Sequence, residues 1–207
     1  RVGGDYFDYI ALPNGSIAVT VGDVAGKGVP AALLMARLYS STRYQFLTSP
    51  DPGEAVTRLN AEIATSGLGH RFITFVAVVL DPVRHEMTIV NAGHPPPLML
   101  CPDGEVVPIG REISSLPLGI MPDQVYKSMV VPIEPGCAVI SFTDGVTEAM
   151  NEQRETYGAE RFIEYLKSAG GDVSEIVEGL VEDIEQFAGG GPVRDDTCIV
   201  ALQREGP

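Results

Sequence analysis

Six aspartates in this chain stand beside glycine turns or at the ends of apolar runs, where a carboxylate is costly unless something neutralises it. Asp5 and Asp8 lie in "GGDYFD", Asp23 in "TVGDVAGKG", Asp144 in "VISFTDGVTEA", and Asp195 and Asp196 in "RDDTCIVAL". Brought together, such acids repel one another, and a hard divalent cation removes the repulsion. Oxygen-only ligands with retained waters suit Mg2+ or Mn2+, and a pair of these ions can clamp a phosphate while generating a hydroxide nucleophile. Asp-Gly is also a common turn dipeptide, so a single "TDG" carries no assignment. The weight rests on the acidic motifs occurring together.

Other chemistries fail on spacing. "GDVAGKG" has three residues between Gly22 and Gly26 where a phosphate loop has four, and Gly28 stands where Ser or Thr would bind magnesium. "GGDYFD" shares three letters with the GGDEF cyclase signature, but Tyr6 replaces its acidic residue and the rest of that pattern is missing. Cys101, Cys137 and Cys198 are far apart, odd in number and form no C-x-x-C pair. They are expected to be reduced thiols, with neither a zinc site nor a disulfide framework, and Cys137 and Cys198 fall in apolar runs that suit buried packing. His70 and His85 lack metal-ligand spacing, and His94, followed by three prolines, reads as fixing a turn.

The elements that must position the aspartates are legible in outline. "GSIAVTVGD" is a β-branched run ending at Asp23. After the glycine loop, Pro30 opens a helix, "PAALLMARLYSSTRYQFL". A second helix follows in "DPGEAVTRLNAEIA", with Asp51 as cap, Pro52 as first residue and Glu54 at capping-box spacing. "FITFVAVVLD" and "EMTIVNAG" predict a hairpin, the first strand apolar throughout as if covered on both faces. Strands are also expected at 97–101, 105–109, 126–133 and 138–143. "DVSEIVEGLVEDIEQF" carries an apolar stripe through Val173, Ile176, Val177, Leu180, Val181, Ile184 and Phe187 that "GGG" ends, and "TCIVAL" is a last strand. Strands in the middle and helices in two blocks predict a layered α+β domain with antiparallel sheets.

At 207 residues and 44% hydrophobic, the chain can bury a full core, and one domain is the expectation. The net charge of −14 disfavours attachment to nucleic acid or anionic lipid. With no run long enough to span a membrane and no signal peptide, a cytoplasmic location is expected. The abrupt start in "RVGGD" suggests a fragment whose upstream regulatory region lies outside it.

Taken in order, "GGDYFD", "GDVAGKG", "NAGHPPP", "SFTDGVTEA" and "RDDTCIVAL" resemble the SpoIIE/RsbU-type serine phosphatases, a bacterial branch of the metal-dependent PPM (PP2C-like) protein phosphatases, over nearly the whole chain. The resemblance implies an α-β-β-α sandwich of two packed antiparallel sheets flanked by helices, with a binuclear Mn2+ or Mg2+ centre. It makes Asp23 the bridging carboxylate and the backbone carbonyl of Val24 a neighbouring ligand, with Asp144 and Asp195 on one metal and Asp5 on the other. Asp23 and Asp144 then carry catalysis through metal-activated water. Asp8, Gly145 and Asp196 have supporting places. The wider group holds the substrate phosphate with an arginine just before the first acidic motif. Here only Arg1 is near, out of register, and Lys27 is the candidate replacement.

The same resemblance implies hydrolysis of phosphoserine or phosphothreonine on a regulatory protein of the anti-sigma-factor antagonist type, in partner switching. It also implies an upstream sensor acting through the two helices after the glycine loop, and it leaves homodimerisation through them open. Two other readings stay open: a catalytically weak interaction module on the same fold, which would have lost ligands, and a two-metal hydrolase of small phosphoesters.

Overall fold

The computed structural model describes residues 4–26, 28–67, 71–189 and 196–205. Along these the chain forms β1 (Asp5–Ala11), β2 (Ile17–Val24), α1 (Val29–Thr48), α2 (Pro52–Ala64), β3 (Ile73–Asp81), β4 (Glu86–Ala92), β5 (Leu98–Leu100), β6 (Val106–Pro108), β7 (Met129–Pro132), β8 (Ala138–Phe142), α3 (Gly145–Glu148), α4 (Gly158–Ser168), α5 (Val173–Ala188) and β9 (Ile199–Gln203). Two antiparallel sheets with helices result, as expected. The chain divides into two compact units, Arg1–Pro96 with Gly110–Ile133, and Pro97–Ile109 with Glu134–Pro207.

In the first unit the strand order is β1-β2-β3-β4-β7, every pair antiparallel. β3 is buried along most of its length, which is why its sequence is apolar without alternation. β1 was expected only as a motif, yet it is a strand of strict parity: Tyr6, Asp8 and Ile10 are buried, while Phe7, Tyr9 and Ala11 are exposed. α1 begins at Gly28, whose φ of 87° suits glycine, with Pro30 in its first turn. α2 is capped by Asp51, whose Oδ1 accepts the Glu54 N–H at 2.7 Å. The Glu54 carboxylate turns to Ser49 and Arg58 instead of closing the box. Leu34 and Leu38 of α1, Leu59 of α2, and Ile10 and Phe75 of the sheet fill the core of this unit. The strand expected over 126–133 is confined to Met129–Pro132. Tyr126 is drawn elsewhere: its N–H donates to Thr57 Oγ1 and its hydroxyl to the Leu116 carbonyl.

The second unit holds a sheet of order β6-β5-β8-β9. Phe142 of β8 meets Phe162 of α4 edge-on, with centroids 4.8 Å apart, in a core completed by Leu166, Ile176, Leu180 and Ile184. α5 has a full capping box, Asp172 accepting the Glu175 N–H and the Glu175 carboxylate accepting the Asp172 N–H.

The cysteine expectation is corrected here. Cys101 and Cys137 form a disulfide, leaving Cys198 as the free, buried thiol. The reason is register: β5 and β8 pair Leu100 with Ala138, so the next facing positions are Cys101 and Cys137, with Cα atoms 4.1 Å apart. Among the described residues, no helix is long and apolar enough to cross a membrane.

Candidate metal centre

The pairing of β1 with β2 sets Asp5 directly opposite Asp23, so the two half-buried aspartates share one sheet face. Beyond the last paired residues, the Val24 N–H donates to the Gly4 carbonyl at 3.0 Å, which closes the strand ends together. Gly4 is then the decisive residue. A Cβ placed on it would lie 2.7 Å from Asp23 Oδ1 and 3.1 Å from the Val24 carbonyl oxygen. Two oxygens of different kinds thus converge on the space that a side chain at position 4 would fill. Hard oxygen donors converging on one small space suit Mg2+ or Mn2+. This local donor set fits the cation that the resemblance implies.

Gly22 is required for a second close approach, since a Cβ there would lie 2.8 Å from the Thr74 carbonyl of β3. Thr74 pairs with Asp23, and its hydroxyl meets His94 Nδ1 at 2.9 Å. Asn91 clamps His94, its Oδ1 accepting the His94 N–H and its Nδ2 donating to the His94 carbonyl. His94 is therefore buried within a locked turn.

Asp8 stands on the opposite face of β1 from Asp5, 7% exposed, and pairs with Arg43 of α1 at 2.6 Å. The support it gives is to the helix, not to the acidic loop. Arg43 also lies 5.1 Å from the Tyr39 ring, and the adjacent carboxylate of Asp8 raises its pKa. Beside this pair, the Tyr6 hydroxyl meets Thr20 Oγ1 at 3.1 Å, and burial pushes its pKa up to about 12.

In the second unit, Asp144 lies two residues beyond the end of β8 and is exposed at the start of the one-turn helix α3. The neighbouring segment is pinned at two points: the Thr143 N–H donates to the Cys198 carbonyl, and the Cys198 N–H donates to Thr143 Oγ1, both at 3.0 Å. Gly145 admits the backbone of Asp196, whose carbonyl oxygen would lie 2.0 Å from a Cβ at that position. Asp196 itself is exposed. Lys27, Asp195, His70 and Arg1 lie outside the described residues. Among the described residues no group of three or more His, Cys, Asp or Glu side chains forms a ready-made metal cluster. Sequence reasoning missed Gly4.

The model of the Stage II sporulation protein E (SpoIIE) family matches residues 13–205. The chain belongs to the SpoIIE family. It is 28% identical to the phosphoserine phosphatase RsbU of Bacillus subtilis (strain 168), covering 99% of this chain and 60% of RsbU. Identity to protein IcfG of Synechocystis sp. is also 28%, over 98% of this chain and 36% of IcfG. This SpoIIE-family chain therefore spans between about a third and three-fifths of the length of those relatives. Its fold superposes on the SiaA-PP2C domain of Pseudomonas aeruginosa with a TM-score of 0.83, at 26% identity, over 99% of this chain and 82% of that one. The architecture is that of PP2C-like phosphatase domains.

Proposed function

We propose that this chain is the catalytic domain of a metal-dependent serine/threonine protein phosphatase. The observation that carries the reading is the convergence of Asp23 Oδ1 and the Val24 carbonyl beside Gly4, with Asp5 opposite. Asp23, the Val24 carbonyl and Asp5 would hold Mn2+ or Mg2+ ions, and the family resemblance assigns Asp144 and Asp195 as further ligands. Such ions, when bound, supply charge neutralisation at the phosphoryl group and a water acidified for in-line attack on phosphorus. The chain's own part is to hold the carboxylates in register and to keep the Gly4 position clear. Gly145 and Asp196 fix the backbone beside Asp144. No cysteine nucleophile is used, which agrees with a buried Cys198 and two cysteines held in a disulfide.

The substrate is phosphoserine or phosphothreonine on a bacterial regulatory protein of the anti-sigma-factor antagonist type, in the cytoplasm. Similarity to a phosphoserine phosphatase supports this. An upstream sensor acts through α1 and α2. Two contacts favour that route: Gln45 of α1 bonds Glu62 of α2, and Arg43 of α1 grips Asp8 on the strand that carries Asp5.

The test is hydrolysis of p-nitrophenyl phosphate and a phosphoserine peptide against rising Mn2+, with Asp23→Asn and Asp144→Asn beside the wild type. Metal-dependent release that both variants lose is the expected result. Release from the small ester alone would point to a hydrolase of small phosphoesters. Folded protein that binds Mn2+ without hydrolysing either substrate would point to an interaction module.

A further inference from the structure

The Cys101–Cys137 bond has a second meaning if the chain works in the cytoplasm, as proposed above, because disulfides in a reducing compartment are ordinarily transient or redox-sensing. Whether a disulfide exchanges depends on which of its sulfurs a thiol can reach, and here the two differ. Cys137 is 1% exposed and sits on a segment tied to the end of β9: the Arg204 N–H donates to the Cys137 carbonyl at 3.0 Å, and the Gly136 N–H donates to the Arg204 carbonyl at 2.7 Å. Pro102 closes over that segment, its Cγ 2.8 Å from the Cβ position of Gly136. Cys101 is half-buried and lines a cleft of about 490 Å³ within the second unit, a volume in the range of small-molecule sites. Gly170 lines the same cleft with nothing within 4 Å of its Cβ position, so that side is open. Two charged residues also line it. Asp103 is turned to the Glu105 N–H, which its Oδ1 accepts at 3.0 Å, while Lys167, exposed in the last turn of α4, brings a cation to the wall. A cation there favours an incoming thiolate.

We propose that Cys101–Cys137 is a reversible exchange site for a low-molecular-weight thiol, with Cys101 the sulfur that is attacked and the cleft the seat of the thiol. The thiolate attacks Cys101 Sγ, the Cys101–Cys137 bond breaks, and Cys137 leaves as a thiolate that takes up a proton. A mixed disulfide on Cys101 results. A second thiolate attacks the small-molecule sulfur of that adduct and releases Cys101, which is protonated in turn. Two thiols are thereby oxidised to one disulfide while the protein's disulfide is reduced to two thiols, and the small disulfide in excess drives the sequence backwards. The change is felt nearby because β5 pairs with β8 over only three residues, Leu98 to Leu100 against Ile140 to Ala138. β8 is also the strand that leads to Asp144. None of this requires a bound metal or a phosphorylated substrate.

The experiment equilibrates the protein with reduced and oxidised glutathione over a range of ratios, quenches with acid, and identifies the products by peptide mass mapping, with circular dichroism to show that the chain stays folded. Disulfide and dithiol forms should interconvert across the range, with glutathione found on Cys101. Cys137→Ser should hold the adduct on Cys101, and Cys101→Ser should leave the buried Cys137 and Cys198 unmodified. Lys167→Glu should slow the attack by roughly 2- to 5-fold, the scale of one exposed charge. If Cys137→Ser does not fold, the wild type still decides, because oxidised glutathione added to the dithiol form must pass through the Cys101 adduct. A bond that glutathione opens only after urea has unfolded the chain, or two cysteines that stay thiols at every ratio, would overturn the proposal. An adduct on Cys137 would overturn the choice of sulfur, and an unchanged rate in Lys167→Glu would overturn the cleft as the route.

Discussion

Gly4→Ala is the smallest change that tests the candidate centre, because it adds one methyl group to the space on which two oxygens converge. The backbone of Gly4 lies outside the left-handed region, so alanine fits it without strain and the effect is confined to contact. The new carbon would start 2.7 Å from Asp23 Oδ1 and 3.1 Å from the Val24 carbonyl. Ordinary contact begins near 3.4 Å, so the carboxylate must retreat by roughly 0.7 Å, well beyond the ~0.2 Å tolerance of a metal–ligand distance. Disturbing the surroundings of a ligand typically costs 10- to 100-fold in metal affinity, so the expected loss is about 1.4 to 2.7 kcal/mol. Calorimetric titration with Mn2+ reads it directly, and the rise in Tm on adding Mn2+ should shrink in step. Gly170→Ala is the control, since nothing lies within 4 Å of its Cβ position. Gly4→Ala protein that is folded and binds Mn2+ as tightly as wild type would refute the convergence argument.

Two further outcomes follow from groups remote from the acids. Reducing the Cys101–Cys137 bridge, or replacing both residues by serine, should lower unfolding stability by up to about 4 kcal/mol, the chain-entropy value for cysteines separated by 36 residues. Urea melts with and without reductant measure it, and identical midpoints would contradict it. Burial pushes Tyr6 and Tyr126 up to about 12, above an unfolded value near 10, so folding favours their protonated forms. Their contribution is complete below pH 10 and is lost as pH rises through about 12. Absorbance titration of the folded chain should show these tyrosines ionising late, and seven tyrosines titrating as one class near pH 10 would count against it.

What sequence could show depended on whether the deciding interaction was local. The β3–β4 hairpin, the Asp51 cap of α2 and the apolar stripe of α5 were legible because each is written within a few consecutive residues. α4 was not, because it starts at Gly158 without a side-chain cap and buries only Phe162 and Leu166. The disulfide was hidden for a different reason: only the β5–β8 register brings Cys101 opposite Cys137, and register is a property of paired strands. The same limit applies to the candidate site. Aspartate motifs pointed to the acids, but Gly4 acquires its meaning only when β1 pairs with β2.

"GGDYFD" shows most directly how one segment can serve two ends. Asp5 and Asp8 are three residues apart on a strand, so their side chains must leave opposite faces of the sheet. A single metal site cannot take both, whatever the motif suggests when read as a string. Asp5 shares its face with Asp23, while Asp8 is turned to the buried face, where the Arg43 guanidinium offsets its charge. The ion pair is then an attachment of α1 to the strand that carries Asp5. Any movement of the Arg43 end of α1 must either break a charge-assisted bond to a buried carboxylate or carry β1 with it. A helix anchored in this way has a mechanical path to Asp5 that runs through three residues of one strand.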